Sequence, residues 1–319
     1  MSTTISSNTR KLVTQALLAA VAVVLVAFVH FPLIPAASFL EYDPADIPIF
    51  IGAFLFGPWA GPVSYTHLMW QNLTEFEKRL LETLQLTEPE VPVWVEDGGC
   101  GIELQRTESG WMIRLENPAM LGRATVLLEQ YIDRPVGWCY REQPAYARLG
   151  VMVDCSRNAV PTIHSLQKLL RMLCRMGYNT VQLYMEDVYE VDGYPYFGHG
   201  RGRYTKQELK ELDAFATRLG IELVPAIQTL AHLGQSLKWK AMGRFVDTGD
   251  ILLADSPDTA ALLNAMFDTL RECFSTDRVN IGMDEAHMLG LGKHLDEHGY
   301  ENRTALMLRH FQLDRKSVV

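Results

Sequence analysis

The sharpest chemical signal in the chain is the run Val279-Asn280-Ile281-Gly282-Met283-Asp284-Glu285-Ala286-His287, an apolar stretch that stops at two adjacent carboxylates. Adjacent acidic side chains at a strand end can be held about a sugar's anomeric centre with separate tasks. An apolar setting keeps one protonated as the acid while the other stays charged. The same letters describe a strand ending in the D-E-A-H box of a helicase, but that chemistry needs an upstream G-x-x-x-x-G-K-[ST] phosphate loop, and the sequence has none. The metal reading lacks its pattern, because His287, His294 and His298 do not form H-E-x-x-H.

The elements that must position this pair read as strands alternating with helices. The strands are LGVMVD (149–154), TVQLYM (180–185), IELVPAI (221–227) and RVNIGM (278–283). Each is a short apolar run, as expected for parallel strands covered on both faces. Helices are expected from Pro161 to about Met176, from Thr205 to about Leu219 and from Ser256 to about Phe274. Thr205-Lys206-Gln207-Glu208 spells a capping box, and Pro257 follows Ser256 at a first helical position. Four βα units predict a (β/α) barrel or a doubly wound sheet, and no G-x-G-x-x-G follows the first strand to favour the latter.

Each strand runs out into ionisable residues: Asp154 with Arg157 beyond it, then Glu186 and Asp187, then His232, then Asp284 and Glu285. One carboxylate after a strand is ordinarily a helix cap or a solvated loop residue. Four such endings share the C-terminal rim of a barrel, where active sites are built, and together they predict an enzyme. Upstream, a helix-like NLTEFEKRLLETLQL (72–86) precedes strand-like VPVWVED, CGIELQRT and GWMIRLEN, with turns at Gly98-Gly99 and Ser109-Gly110. These predict a small α+β domain over 72–148 that carries no chemistry of its own.

Over roughly 149–311 the sequence resembles glycoside hydrolase family 20, the β-N-acetylhexosaminidases, in the opening GVMVDCSRNAVP (150–161) and in the Asp284-Glu285 pair. The resemblance implies an α/β fold, a partial (β/α)8 TIM barrel supplying its first four βα units over 149–313, behind the family's usual small α/β domain. It implies a retaining hydrolase assisted by the substrate's own 2-acetamido group, acting on glycoconjugates that end in N-acetylglucosamine or N-acetylgalactosamine, with no metal and no cofactor. Glu285 then matches the general acid/base, and Asp284 the carboxylate that orients the acetamido group. Arg157 matches the arginine on the outer hydroxyls, and His232 the histidine after strand three. Asp187, with Glu186 beside it, matches the acidic position after strand two. The chain departs from the family's commoner H-x-G-G-D-E, carrying Asn280-Ile281-Gly282-Met283-Asp284-Glu285, and has Leu230-Ala231-His232 in place of P-G-H. These departures bear on the substrate more than on the reaction class. A whole barrel takes about 250 residues, so strands five to eight are expected outside this sequence and the chain as written is expected to be inactive. Release of nitrophenol from nitrophenyl N-acetylglucosaminide would contradict that expectation.

The beginning of the chain has another character. From Leu12 to Leu40 there is no Asp, Glu, Lys or Arg, and LVTQALLAAVAVVLVAFV (12–29) is long enough to span a bilayer. Arg10 and Lys11 place its N-terminus on the cytoplasmic side. A secretory leader would explain this run but not the second one, IPIFIGAFLFGPWAGPV (47–63). The stretch FLEYDPADIPIFIGAFLFGPWAG resembles the opening of riboflavin-type substrate-binding components of energy-coupling-factor transporters. That implies a transmembrane fragment over 1–63, a vitamin-binding alternative for the chain and a membrane location for it as written. The hydrolase part, with scattered cysteines and no leader of its own, is expected to be cytoplasmic in its parent.

At the junction, 64–71, Val63-Ser64-Tyr65-Thr66-His67-Leu68 reads as a translated transposase mosaic end, and Asp314-Arg315-Lys316-Ser317-Val318-Val319 as a translated ligation adapter. Together they predict an artefactual fusion of two fragments. Source DNA amplified continuously across the junction would contradict it. Across all 319 residues, 29 Lys and Arg against 38 Asp and Glu give a formal charge of −9, which argues against a nucleic-acid binder. Five cysteines without a C-x-x-C pair make neither a disulfide framework nor a zinc ribbon.

Overall fold

The computed structural model describes residues 70–318 apart from 87, 88, 90 and 158, together with Phe31–Pro32 and Glu41–Tyr42. The apolar runs read as membrane-spanning, and most of the junction, lie outside the described residues. Among the described residues no helix is long and apolar enough to cross a membrane. The chain divides into two compact units, Met1–Gln71 with Glu88–Pro92, and Asn72–Thr87 with Val93–Val319. In the first, Phe31–Pro32 pairs antiparallel with Glu41–Tyr42. The second holds the sheets and helices that build the site.

The second unit opens with helix α1 (Glu75–Leu84), whose Thr74 side chain accepts from the Glu77 amide while Glu77 reaches back, a capping box that satisfies two amides at the helix start. Strands β1 (Val93–Asp97), β2 (Ile102–Arg106) and β3 (Trp111–Leu115) follow within the strand-like runs, with the glycine turns between them at positive φ. Strand β3 pairs parallel with β1 and antiparallel with β2. Two further elements complete this layer, helix α2 (Leu121–Tyr131) and strand β4 (Cys139–Glu142), which pairs antiparallel with β2. The core between sheet and helices is made of Val93, Val95, Leu104, Trp111, Ile113 and Leu127, all at most 1% exposed.

A parallel sheet comes next. Strands β5 (Gly150–Asp154), β6 (Thr180–Glu186) and β7 (Glu222–Ile227) lie in the order β7-β6-β5, with Gly150 and Glu222 both in register with Thr180. Helices α3 (Ile163–Arg175) and α4 (Lys206–Arg218) connect them. Thr162 caps α3 by accepting from the Ser165 amide, and Thr205 closes the expected capping box with Glu208. After β7 come the short helix α5 (Gly234–Leu237), a hairpin of β8 (Val246–Thr248) and β9 (Ile251–Leu252), and helix α6 (Pro257–Cys273), then α7 (Lys293–His298) and α8 (Arg303–Val318). Ser256 stands at the start of α6 with Pro257 behind it, but its side chain makes no capping bond.

Two expectations need correction. Strands β6 and β7 are almost continuously buried, but β5 alternates exposed and half-buried, and Met152 is 49% exposed. The reason is position: β5 is the edge of the sheet as described and has β6 on one side only. The fourth strand, expected over 278–283, is reduced to one parallel bridge between Asn280 and Ala226. The Ile227 amide donates to Asn280 O at 2.8 Å and the Asn280 amide to Pro225 O at 2.9 Å, so the segment does run beside β7. It cannot extend further as a strand because Gly282 turns to φ +48° immediately afterwards.

Candidate active site

All the residues singled out on the rim lie beyond or at the C-terminal ends of the parallel strands, but they are not equivalent. At the end of β5, Asp154 Oδ1 accepts from the Ser156 amide at 2.9 Å and the Arg157 amide at 3.1 Å, which shapes the turn that presents Arg157. Burial works to raise the Asp154 pKa, and these backbone bonds outweigh it, holding the carboxyl below its ordinary range. Arg157 reaches across to β6. Its Nη2 donates to Tyr184 Oη at 3.1 Å, its Nε lies 3.5 Å from Glu186 Oε1, and its guanidinium sits 5.1 Å from the centre of the Tyr184 ring.

The end of β6 is irregular in a way that serves this contact. Ala226 of β7 is in register with Tyr184, but Ile227 is in register with Glu186, so Met185 is an extra residue in the ladder. A bulge of this kind re-aims the side chains around it. Glu186 takes φ 46°, and Tyr184 Oη donates to its Oε1 at 3.2 Å. Asp187 is 1% exposed and faces inward: Ser236 Oγ donates to its Oδ2 at 2.7 Å, and Arg201 Nη1 lies 3.6 Å from Oδ1. Arg201 also reaches Glu186 Oε2 at 3.9 Å and donates to the Ser156 carbonyl. Of the two acidic residues after strand two, then, Glu186 meets Arg157 and Asp187 braces the loops beneath.

The adjacent pair is joined to this network by Gln228, the residue after β7. Its side-chain amide donates to Tyr184 Oη at 3.0 Å and to Asp284 Oδ1 at 3.1 Å, and the residue is fully buried. The Gln228 bond is the largest influence on Asp284 and holds its carboxyl below the ordinary aspartate range against a smaller opposing effect of burial. His232 Nε2 stands 3.6 Å from Asp284 Oδ2 and 3.4 Å from Glu285 Oε2, in ion-pair range of both. The Asp284 and Glu285 side chains are 61% and 66% exposed, so the apolar enclosure expected around one of them is not provided by the described residues.

Backbone conformation singles out the same positions. Glu186, His232 and Glu285 have φ of 46°, 58° and 55°, three of the six non-glycine residues at positive φ among those described. Each such residue costs on the order of 1 kcal/mol, and such strain gathers where side chains must be aimed. Gly282 completes the turn: a Cβ there would lie 2.4 Å from Ile227 O and 2.8 Å from Gln228 Cδ, so only glycine lets the segment approach the Gln228 side chain. Among the described residues no group of three His, Cys, Asp or Glu side chains could hold a metal ion.

Tyr184, Gln228 and Arg201 stood outside the sequence expectations. Tyr184 and Glu186 are two apart at the end of one strand, and Gln228 directly follows another, which is the signal that would have found them. Arg201 lies in a glycine-spaced loop, Gly198-His199-Gly200-Arg201-Gly202, with nothing local to mark it.

The description "Glycosyl hydrolase family 20, catalytic domain" matches residues 146–307, just over half of the chain. A second, "ECF transporter, substrate-specific component", matches residues 10–69. Over 281 residues the chain is 27% identical to a beta-hexosaminidase of Akkermansia muciniphila, covering 75% of this chain and 56% of the relative. It is 26% identical over 141 residues to hexosaminidase D of Bos taurus, covering 43% of this chain and 41% of the relative. The chain thus spans about half the length of the curated relatives it matches. Among solved structures, a family 20 exo-β-N-acetylglucosaminidase from Vibrio harveyi in complex with N-acetylglucosamine superposes with a TM-score of 0.64 at 17% identity, over 80% of this chain and 49% of that one. A variant beta-hexosaminidase from Streptomyces plicatus in complex with N-acetylglucosamine gives 0.58 at 21% identity, over 76% and 57%. These likenesses make the parallel layer TIM-barrel-like. With the carboxylate pair, the arginine and the histidine all on the rim of that layer, and the catalytic-domain match running from 146 to 307, the chain belongs to glycosyl hydrolase family 20.

Proposed function

We propose that this rim is the donor site of an exo-β-N-acetylhexosaminidase, which removes terminal N-acetylglucosamine or N-acetylgalactosamine with retention of configuration. The observation that carries the reading is the division between two neighbours. Asp284 is tied to Gln228 and kept as a carboxylate, while Glu285, at positive φ, makes no such bond and stands open at the rim beside His232. Arg157, pinned over Tyr184, offers a planar fork of donors to the outer hydroxyls of the terminal sugar.

In the reaction the acetamido oxygen forms a bond to the anomeric carbon as the glycosidic C–O bond breaks, and Glu285 gives its proton to the departing oxygen. Asp284, still charged, accepts from the acetamido N–H and balances the positive oxazolinium ring. Water then adds to the anomeric carbon from the opposite face as the bond to the acetamido oxygen breaks, which restores the acetamido group, and the water's proton goes to Glu285. No enzyme nucleophile is required, the known exception to the two-carboxylate scheme. His232, in reach of both carboxylates, orients them. We further infer that 72–148 is the family's small α/β domain and 149–313 its first four βα units. Calorimetric titration tests the reading: the chain is expected to bind N-acetylglucosamine and not glucose, and equal affinity for the two would remove Asp284 from its role.

The match at 10–69 favours a second reading for the first segment alone, a piece of a membrane-embedded vitamin-binding component. The full chain is expected to float with phosphatidylcholine vesicles in a density gradient, and recovery in the protein fraction at the bottom would contradict it.

A further inference from the structure

Two carboxylates close to the rim have no part in the chemistry above. Asp247 lies in β8 and Asp250 in the turn that leads to β9. Asp247 is 5% exposed, and its two oxygens accept from the Gly290 amide at 2.7 Å and the His294 amide at 2.9 Å. Asp250 Oδ2 accepts from the His232 amide at 3.2 Å, and the Asp250 carbonyl accepts from the Leu233 amide at 3.2 Å. One hairpin therefore holds two segments of the site. The first begins at His232; the second leaves Glu285 and runs into α7.

Forming the hairpin asks for neither side chain, because it is closed by its own pairs, Val246 with Leu252 and Thr248 with Ile251. Helix capping accounts for only half of Asp247. The His294 amide lies in the first turn of α7, where a carboxylate is an ordinary partner, but Gly290 comes before that helix. Its bond fixes the course of the chain between Glu285 and α7, and Gly292 permits the close approach, since a Cβ there would overlap Asp247 O. The Asp250 bond bears on side-chain aim. His232 has φ 58°, an unfavourable value for a residue with a Cβ, and its Nε2 must meet Asp284 and Glu285 from there. An amide tied to a carboxylate resists relaxation to ordinary backbone, which would swing the imidazole off the pair. Apolar packing joins the same three segments. Leu230 and Ala231 beside His232, Ile251 and Ala254 at the hairpin, and Ala286 and Leu289 beyond Glu285 form one buried cluster.

We propose that the β8–β9 hairpin is a clamp that sets His232 against the carboxylate pair, with Asp250 and Asp247 as its positioning residues. Its place in the reaction rests on the donor-site reading above. The test is a nitrogen NMR spectrum of the imidazoles of the full chain at fixed pH, with His232 assigned by its loss in His232→Gln. Glu285→Gln should shift the His232 ring nitrogens in the parent chain. In Asp250→Ala most of that shift should be lost. In Asp250→Asn, whose carbonyl oxygen can still accept from the His232 amide, most of it should remain. Asp247→Asn, which places a donor where an acceptor is needed, should also reduce the shift, and it carries the test if Asp250→Ala does not fold. Thermal unfolding identifies the folded variants. A hairpin that only braces the fold would lower the unfolding temperature and leave the His232 shift at full size in Asp250→Ala. That result, or no shift in the parent chain, overturns the clamp. Calorimetric titration with N-acetylglucosamine runs beside it, and affinity should fall severalfold in Asp250→Ala. A parent chain that shows the His232 shift but binds no N-acetylglucosamine overturns the donor-site reading, while loss of the shift in Asp250→Ala still supports the clamp.

Discussion

The side-chain amide of Gln228 donates to Asp284 Oδ1 at 3.1 Å from a fully buried position, and the same nitrogen donates to Tyr184 Oη at 3.0 Å. One side chain on the end of β7 thereby ties the carboxylate pair to the residue beneath Arg157. Asp284 is depressed below its ordinary pKa, first by this bond. For a depressed carboxyl, the benefit of the charged form is complete above the ordinary aspartate value and is lost as pH falls through the lower, folded value. Gln228→Leu should therefore raise the Asp284 pKa toward the ordinary value and move the acid limit of N-acetylglucosamine binding to higher pH. Carbon NMR titration of the Asp284 carboxyl reads the shift directly, and an unmoved titration would show that Gln228 does not hold it.

Asp187 and Arg201 predict a stability effect. The carboxylate is 1% exposed and Arg201 is its nearby cation at 3.6 Å. Removing one member of a buried pair leaves a charge uncompensated, so Arg201→Met should lower unfolding stability by about 3 kcal/mol. Urea denaturation measures it, and a loss within experimental error would mean that Ser236 alone satisfies Asp187.

Gly282→Ala should damage the site more than the fold. The added Cβ meets Ile227 O and the Gln228 side chain, and φ +48° is unfavourable for alanine. Unfolding stability should fall by roughly 1 kcal/mol or more, while N-acetylglucosamine affinity falls by about tenfold, near 1.4 kcal/mol, because Gln228 is displaced from Asp284. Unchanged affinity would argue that Gln228 can move without cost to the site.

Helix starts offer a paired comparison. Thr205 closes a reciprocal capping box with Glu208, with bonds of 3.1 Å and 2.8 Å, whereas Ser256 makes no side-chain cap. Thr205→Ala should cost about 1 kcal/mol in chemical denaturation and Ser256→Ala no more than a few tenths. Equal costs would contradict the geometry of one of the two caps.

The comparison at the caps also shows what was legible in the chain. Thr205 and Glu208 announced their helix three residues apart, and the apolar runs ending at Asp154 and Glu186 announced theirs as strands. The segment 278–283 looked like a fourth strand because it is a short apolar run that stops at two carboxylates. Its backbone leaves the extended region at Gly282, a property that glycine permits but does not declare. The site followed the same division. Asp284, Glu285, Arg157 and His232 were visible as chemistry at strand ends. The uncharged residues that join them were not, since Tyr184 reads as a strand residue and Gln228 as a loop residue. Asp187 was visible as an acid, but its inward direction depends on Ser236 and Arg201, 49 residues and a loop away.

The role proposed for Asp284 is to hold the acetamido group of a terminal N-acetylhexosamine. A thiazoline-fused N-acetylglucosamine mimics the oxazolinium ring that Asp284 is to stabilise, and its affinity for the full chain can be measured by calorimetry beside the Asp284→Asn variant. The parent chain is expected to bind it and Asp284→Asn to lose at least about tenfold, near 1.4 kcal/mol, with thermal unfolding unchanged. Equal affinity in the two proteins, or no binding to the parent chain, would contradict it.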